Sequence, residues 1–108
     1  MIVMMVASAI YAAGFQTAAA ADTARLALRT CIKQAAGEAK GQKVANDAFT
    51  AFVKQKCATQ ATSFKGAVWA FDAKNKVSKK QSESDSDFQV DDFVTSAADR
   101  YAAENAPQ

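Results

Sequence analysis

The chain carries three stripes of apolar residues at the three-and-four spacing that is typical of an amphipathic helix. The first stripe consists of Ala24, Leu28, Cys31, Ala35 and Ala39. The second consists of Ala45, Phe49, Val53, Cys57, Ala61, Phe64, Val68 and Phe71. The third consists of Val90, Phe93, Val94, Ala97 and Tyr101. This pattern predicts an all-α protein of three to four helices, in which a helical hairpin with a long second helix packs against a further C-terminal helix.

Capping residues mark the two ends of the predicted turn in the hairpin. We expect the first helix to run from about Asp22 to residue 39, with Asp22 or Thr23 as its N-cap. Gly41 fits the glycine that commonly follows a helix C-terminus. Asn46 fits the N-cap of the second helix. Residues 37–46 therefore form the predicted breaker region between the two helices.

The second helix is the longest predicted element. Its stripe keeps one phase as far as Phe71, and no proline interrupts it. We therefore expect a single helix from Asn46 to about Lys74. Gly66 is its weak point, because glycine disfavours a helix interior. A break between residues 62 and 66 is the four-helix alternative.

The region before the third stripe is polar. Residues 75–87 read NKVSKKQSESDSD, a composition that predicts a connecting loop. Ser86, followed by Gln89 three residues later, matches a capping box. The last helix is therefore expected to run from about Asp87 to Glu104.

The only two cysteines lie on the stripes of the two hairpin helices. At 1.5 Å per residue, Cys31 lies about 15 Å before Gly41 and Cys57 about 16 Å after Asn46, so antiparallel helices bring them to similar heights. We therefore predict a Cys31–Cys57 disulfide, worth about 3.5 kcal/mol in the chain-entropy model. The alternative is a pair of free thiols used in redox or metal chemistry. The spacing is not Cys-x-x-Cys, however, and two cysteines cannot close a zinc site.

The N-terminal fifth of the chain differs from the rest. Residues 1–21 contain no charged side chain, and they end in Ala19-Ala20-Ala21 after an apolar run from residue 2 to residue 13. This pattern predicts a signal peptide that is cut near Ala21, leaving a single helical domain of residues 22–108. An oxidising compartment outside the cytoplasm would also favour the disulfide. The segment lacks the usual N-terminal Lys or Arg, so an uncleaved anchor is the alternative.

Charge is distributed unevenly along the chain. Residues 22–80 have a net charge of +8, and residues 81–108 have a net charge of −6. We expect the acidic last helix to pack against the basic hairpin. The alternative is that Lys74, Lys76, Lys79 and Lys80 contact an anionic envelope surface or an acidic partner. Trp69 lies opposite the second stripe, where it is either covered by the C-terminal segment or used as a binding anchor.

The residues needed for common catalytic sites are missing. The chain contains no histidine, which excludes Ser-His-Asp and Cys-His catalysis and removes the commonest metal ligand. The acidic residues 85–92 do not form a calcium loop, because Val90 and Ser96 occupy positions that require glycine and glutamate. Neither a phosphate-binding loop nor a nucleic-acid-binding pattern is present. We therefore predict no enzymatic activity, no cofactor, no metal and no nucleic-acid partner.

The chain resembles a group of small, alanine-rich, two-cysteine secreted or periplasmic proteins of alphaproteobacteria such as sphingomonads, whose role is uncharacterised. The resemblance rests on Thr30-Cys31-Ile32, Asp47-Ala48-Phe49, Cys57, Phe64 and Tyr101. It implies a helical envelope protein with two cysteines, and it brings no catalytic residues.

These observations predict a small periplasmic or secreted helical protein with a structural or protein-interaction role in the cell envelope. Its expected partner is another envelope protein or a second copy of itself. Two alternatives remain. One is a thiol redox or stress-sensing protein that uses Cys31 and Cys57, and the other is a protein that binds anionic membrane surfaces.

Overall fold

The computed structural model describes residues 17–105 of the chain, and this range contains four α-helices and no strand. Helix α1 spans Ala18–Gly41, α2 spans Asn46–Lys56, α3 spans Ala58–Lys74 and α4 spans Lys79–Glu104. The predicted all-α class of three to four helices is confirmed.

The helices form an up-down-up bundle whose middle arm consists of α2 followed by α3. Cys31 of α1 is bonded to Cys57, and the Arg25 guanidinium of α1 lies 5.2 Å from the ring centroid of Phe64 in α3. Both α2 and α3 therefore run antiparallel to α1. Helix α4 runs back along the same arm, because Tyr101 stacks on Phe49 and Asp87 forms an ion pair with Lys65. Thus α1 and α4 are parallel neighbours.

The middle arm is interrupted at Cys57. This residue leaves the helical conformation at φ −110° and ψ 19°. Hydrogen bonding nevertheless continues on both sides, from the Cys57 N–H to the Val53 carbonyl (3.0 Å) and from the Ala61 N–H to the Cys57 carbonyl (2.9 Å). The prediction of one unbroken helix is wrong at this residue, where the chain is also tied to α1 by the disulfide. The alternative break at residues 62–66 is wrong as well, since α3 is continuous through Gly66.

The two four-residue turns of the bundle are built in the same way. In the first, Lys43 adopts the left-handed conformation (φ 57°), and the Val44 N–H reaches back to the Ala39 carbonyl over 2.9 Å. In the second, Lys76 adopts φ 63°, and the Val77 N–H reaches the Asp72 carbonyl, also over 2.9 Å. Both are Schellman motifs, which satisfy carbonyl groups at a helix C-terminus. Helix α1 ends at Gly41, as predicted, but the left-handed residue of the turn is Lys43.

Helix α1 starts earlier than predicted. Thr17 is its N-cap, and the Thr17 Oγ1 accepts a hydrogen bond from the Ala20 N–H at 3.1 Å. Asp22, a predicted cap together with Thr23, lies inside the helix and pairs with Arg25. Ala21, the last residue of the predicted signal peptide, is buried in the core. Cleavage itself stays a prediction, and residues 1–16 of that segment lie outside the described residues.

No side chain caps the N-terminus of helix α2. Ala45 occupies the N-cap position without a side-chain hydrogen bond, and Asn46 is the first helical residue. The Asn46 Oδ1 instead accepts a weak bond (3.4 Å) from the Asn105 side chain. The predicted Asn46 cap is therefore wrong by one residue.

Helix α4 begins eight residues before its predicted start, so most of the predicted loop 75–87 is helical. Its N-cap is Ser78, whose Oγ accepts a hydrogen bond from the Gln81 N–H at 3.1 Å. Ser78 and Gln81 have the same spacing as Ser86 and Gln89, the predicted cap pair, which lies eight residues later in the chain. Within the first turns, the Gln81 amide donates to Asp85 at 2.8 Å.

Serines replace large apolar residues on the buried face at the start of α4. Ser82 and Ser86 are each only 1% exposed. Ser86 Oγ donates to the Glu83 carbonyl over 3.2 Å, and Ser82 Oγ has no partner among the described residues. The buried face at this end of α4 is therefore formed by small side chains.

The core runs the length of the bundle. Its largest fully buried apolar side chains are those of Leu28, Phe49, Val53 and Phe64. Tyr101 closes one end, where its ring lies 4.3 Å from that of Phe49 between centroids. The Tyr101 hydroxyl donates to the Val44 carbonyl at 2.6 Å, with the Ala39 carbonyl at 3.2 Å as a second acceptor. A single side chain of α4 thus fixes the turn between α1 and α2.

Candidate functional site

The predicted disulfide is present and lies inside the bundle. The Cα atoms of Cys31 and Cys57 are 5.9 Å apart. Cys57 is 2% exposed, and Cys31 is half-buried beside the carbonyl of Lys56. The bridge links the middle of α1 to the junction of α2 and α3, where it stabilises the packing of these helices.

The four predicted interaction lysines lie together at one end of the bundle. Lys74 ends α3, Lys76 is the left-handed residue of the turn, and Lys79 and Lys80 begin α4. All four are exposed, and Lys79 reaches Glu83 over 3.9 Å. Lysines at a helix N-terminus add to the positive end of its dipole, so this corner of the molecule is strongly positive.

Trp69 lies in α3 before this turn and is half-buried. It is not among the described apolar residues that pack on the core. Its use as a binding anchor stays a prediction.

An open groove of about 870 Å³ runs between the parallel helices α1 and α4. Its α1 side carries the basic residues Arg29, Lys33 and Lys40. Its α4 side carries the acidic Asp92 and Glu104, with the basic Arg100 between them. The Arg29 guanidinium lies 5.5 Å from the ring centroid of Phe93, on the floor of the groove. Both walls are therefore charged over an apolar floor.

Two large apolar side chains project beside this groove into solvent. Leu26 on α1 is 66% exposed, and Phe88 on α4 is 72% exposed. Within the described range, they are the only exposed large apolar residues. Phe88 belongs to the same ridge of α4 as Asp92, because residues four apart lie above one another on a helix. Sequence reasoning missed both, although a large apolar side chain off the stripe is a signal that could have found them.

Two contacts fix which residues of α1 and α4 are level. Arg25 Nε donates to Gln89 Oε1 at 3.2 Å, across 64 positions of sequence. The hydroxyl of Tyr101 contacts the carbonyl of Ala39, across 62 positions. By this offset, Leu26 lies level with Phe88. Arg29 lies level with Asp92 further along the two helices, and Lys40 lies level with Glu104 at their ends.

Two basic residues of the α1 wall therefore lie level with acidic residues of the α4 wall. Arg29 lies level with Asp92, and Lys40 lies level with Glu104. No ion pair of residues 17–105 joins α1 to α4, however. These four charges face each other across the groove without a salt bridge.

The opposite side of α4 also carries a groove, but ion pairs cross it. A smaller groove there is lined by core residues and by the ion pairs Lys54–Asp91 and Lys65–Asp87. The acidic helix does pack on the basic middle arm, as its charge predicts. Of these two grooves, the one between α1 and α4 is the larger, and no salt bridge of the described residues crosses it.

The described part of the chain offers little else that could bind a ligand. It contains no group of three or more Cys, Asp or Glu residues arranged to hold a metal ion. Among the same residues, no helix is both long enough and apolar enough to cross a membrane. No protein-family model, curated protein or solved structure matches this chain.

Proposed function

We propose that this is an exported interaction module that binds another protein molecule through the face formed by α1 and α4. The observation that carries the proposal is the exposed Leu26 on the wall of an open groove, with the exposed Phe88 level with it on α4 beside the groove. Exposed apolar side chains rimmed by charges are typical of protein-binding surfaces. The remaining features of the bundle serve to hold these two helices side by side.

Export is the part of the proposal that depends on the N-terminal sequence. Intact mass of the protein recovered from the periplasm of a bacterial host, with and without reduction and alkylation, tests it. A shortened chain that takes up two alkyl groups only after reduction supports export. A full-length chain with freely labelled thiols would overturn it.

The binding face is tested by a double variant, Leu26→Ser with Phe88→Ser. Both side chains are exposed, so the fold should be retained, and far-UV circular dichroism checks this. The protein is cross-linked to its partners in envelope extract. We expect the double variant to lose most of the envelope proteins that the wild-type protein captures. Lys43→Asp, an exposed position outside the lining of the groove, is the control and should capture as the wild type does. Equal capture by all three proteins would contradict the proposal.

The thiol redox alternative is less well supported by the geometry. Cys57 is almost fully buried, and attack on a disulfide requires access to a sulfur. A structural bridge should resist reduction by glutathione, whereas a cycling bridge should be reduced in that range. Titration of the protein in glutathione buffers separates the two.

The membrane-surface alternative has one observation in its favour, the lysine corner at residues 74–80. Sedimentation with vesicles of anionic lipid tests it, at low salt and at about 0.5 M salt, where surface charges are screened over a few ångströms. Binding at low salt that is lost when the four lysines are changed to glutamine would support this function. No binding at low salt would end it.

A further inference from the structure

We propose that the protein bound by the α1–α4 face is a second copy of this chain, related by a two-fold axis that runs along the groove. The inference rests on the proposed function and names its partner. Such an axis places α1 of one copy against α4 of the other at the same level. The two copies then form a four-helix interface around the groove.

The contacts of this arrangement follow from which residues of α1 and α4 lie at the same height along the bundle. Leu26 of one copy meets Phe88 of the other, and the reverse pair forms by symmetry. Arg29 meets Asp92 and Lys40 meets Glu104, each pair twice. All four of these charges are exposed and lack an ion pair across the groove within one copy. These two pairs make the surface complementary to itself at their levels, as an isologous interface requires, whereas no acidic residue of the groove lies level with Lys33 or Arg100.

The area of the face sets the expected strength. Residues 26–40 of α1 span about 21 Å, and two helices side by side are about 20 Å wide, so the two copies together would bury about 800–1,000 Å². Interfaces of that size are weak or transient. We therefore expect a dimer that forms at tens to hundreds of micromolar and is weakened by salt, because four of its contacts are ion pairs.

Sedimentation velocity between about 5 and 500 μM tests the association, using the disulfide-bonded protein as it is recovered from its host. We expect the weight-average mass to rise towards twice the monomer mass. Leu26→Ser with Phe88→Ser should remain monomeric throughout. Lys43→Asp, which changes the charge by the same amount as the reversal below but lies outside the lining of the groove, should dimerise as the wild type does.

Charge reversal tests the register. Arg29→Asp alone and Asp92→Arg alone each place two like charges across the two-fold axis, so each variant should be monomeric. In an equimolar mixture of the two variants, both cross-axis pairs become attractive again. We expect the mixture to recover dimer at close to the wild-type concentration dependence. Failure of the mixture to dimerise, while the wild type does, would overturn the proposed pairing.

The results separate this inference from the proposed function. A wild-type protein that stays monomeric at 500 μM excludes the second copy as partner. If the Leu26→Ser, Phe88→Ser variant then still loses its captured proteins, the face binds a different protein and the proposed function stands. A dimer that is unaffected by all the groove variants would show that association uses another surface, and it would overturn the inference.

Discussion

Replacement of Tyr101 by phenylalanine removes one oxygen atom from the structure and isolates the contribution of its hydroxyl. The ring stays, together with its stacking on Phe49 at 4.3 Å. The bond of 2.6 Å to the Val44 carbonyl is lost, as is the longer contact to Ala39. The Ala39 carbonyl keeps the Val44 N–H as a partner, so only the Val44 carbonyl is left without one of its bonds.

The expected loss of unfolding free energy follows from the burial of the Tyr101 hydroxyl and the Val44 carbonyl. A net hydrogen bond contributes about 0.5–1.5 kcal/mol, and a buried acceptor left unpaired costs about 1–3 kcal/mol. Because Val44 is half-buried, water reaches its carbonyl in part, and the total should be about 1.5 kcal/mol. For a domain of this size, that loss lowers the Tm by about 6–12 °C.

Urea unfolding followed by far-UV circular dichroism measures this loss, with an unchanged slope showing that the denatured state is the same. Phe88→Leu is the control in the same helix, and it should alter the unfolding free energy by less than about 0.5 kcal/mol because Phe88 is exposed. Amide hydrogen exchange should also become faster in the turn of residues 42–45. A change of less than about 0.3 kcal/mol for Tyr101→Phe, with normal protection of this turn, would refute the role assigned to the hydroxyl.

Three further changes test the other elements of the fold by the same unfolding assay. Replacing Cys31 and Cys57 together by alanine should cost about 3.5 kcal/mol, since the bridge closes a loop across 26 positions, and a loss below about 1 kcal/mol would contradict its structural role. Ser78→Ala should cost about 1 kcal/mol, because the Ser78 Oγ caps α4, and an unchanged midpoint would argue against that helix start. Gly66→Ala should stabilise by about 0.5–1 kcal/mol, because a Cβ atom there meets nothing within 4 Å, and destabilisation would indicate a contact that this packing lacks.

The sequence predicted those parts of the fold that depend on a single helix and its stripe. Helix content, the pairing of Cys31 with Cys57 and the end of α4 at Glu104 all follow from apolar spacing and capping. The first half of α4 was missed because its buried positions are Ser82 and Ser86, which a hydrophobic pattern scores as solvent-exposed. Their burial depends on the helices that pack against α4, which is a tertiary property.

The break at Cys57 and the open groove could not be predicted for related reasons. The apolar stripe is in phase on both sides of Cys57, so spacing alone contains no sign of an interruption. Leu26 and Phe88 become neighbours only through the offset of 62 to 64 positions between two parallel helices. That offset is set by how α4 packs on the middle arm. Of the predicted site residues, the four lysines do come together, because they flank one short turn.

The position of the disulfide divides the chain into parts that fold under different constraints. With the bridge intact, the unfolded molecule is a closed ring of residues 31–57 that carries two linear tails. Within the ring, α2 meets the end of α1 over a short separation, so this hairpin should assemble early. Helix α4 meets α1 across the 64 positions that separate Arg25 from Gln89, a separation that the bridge shortens by 26, and the entropy of closing the remaining loop slows its docking. We therefore expect the surface between α1 and α4 to form after the hairpin.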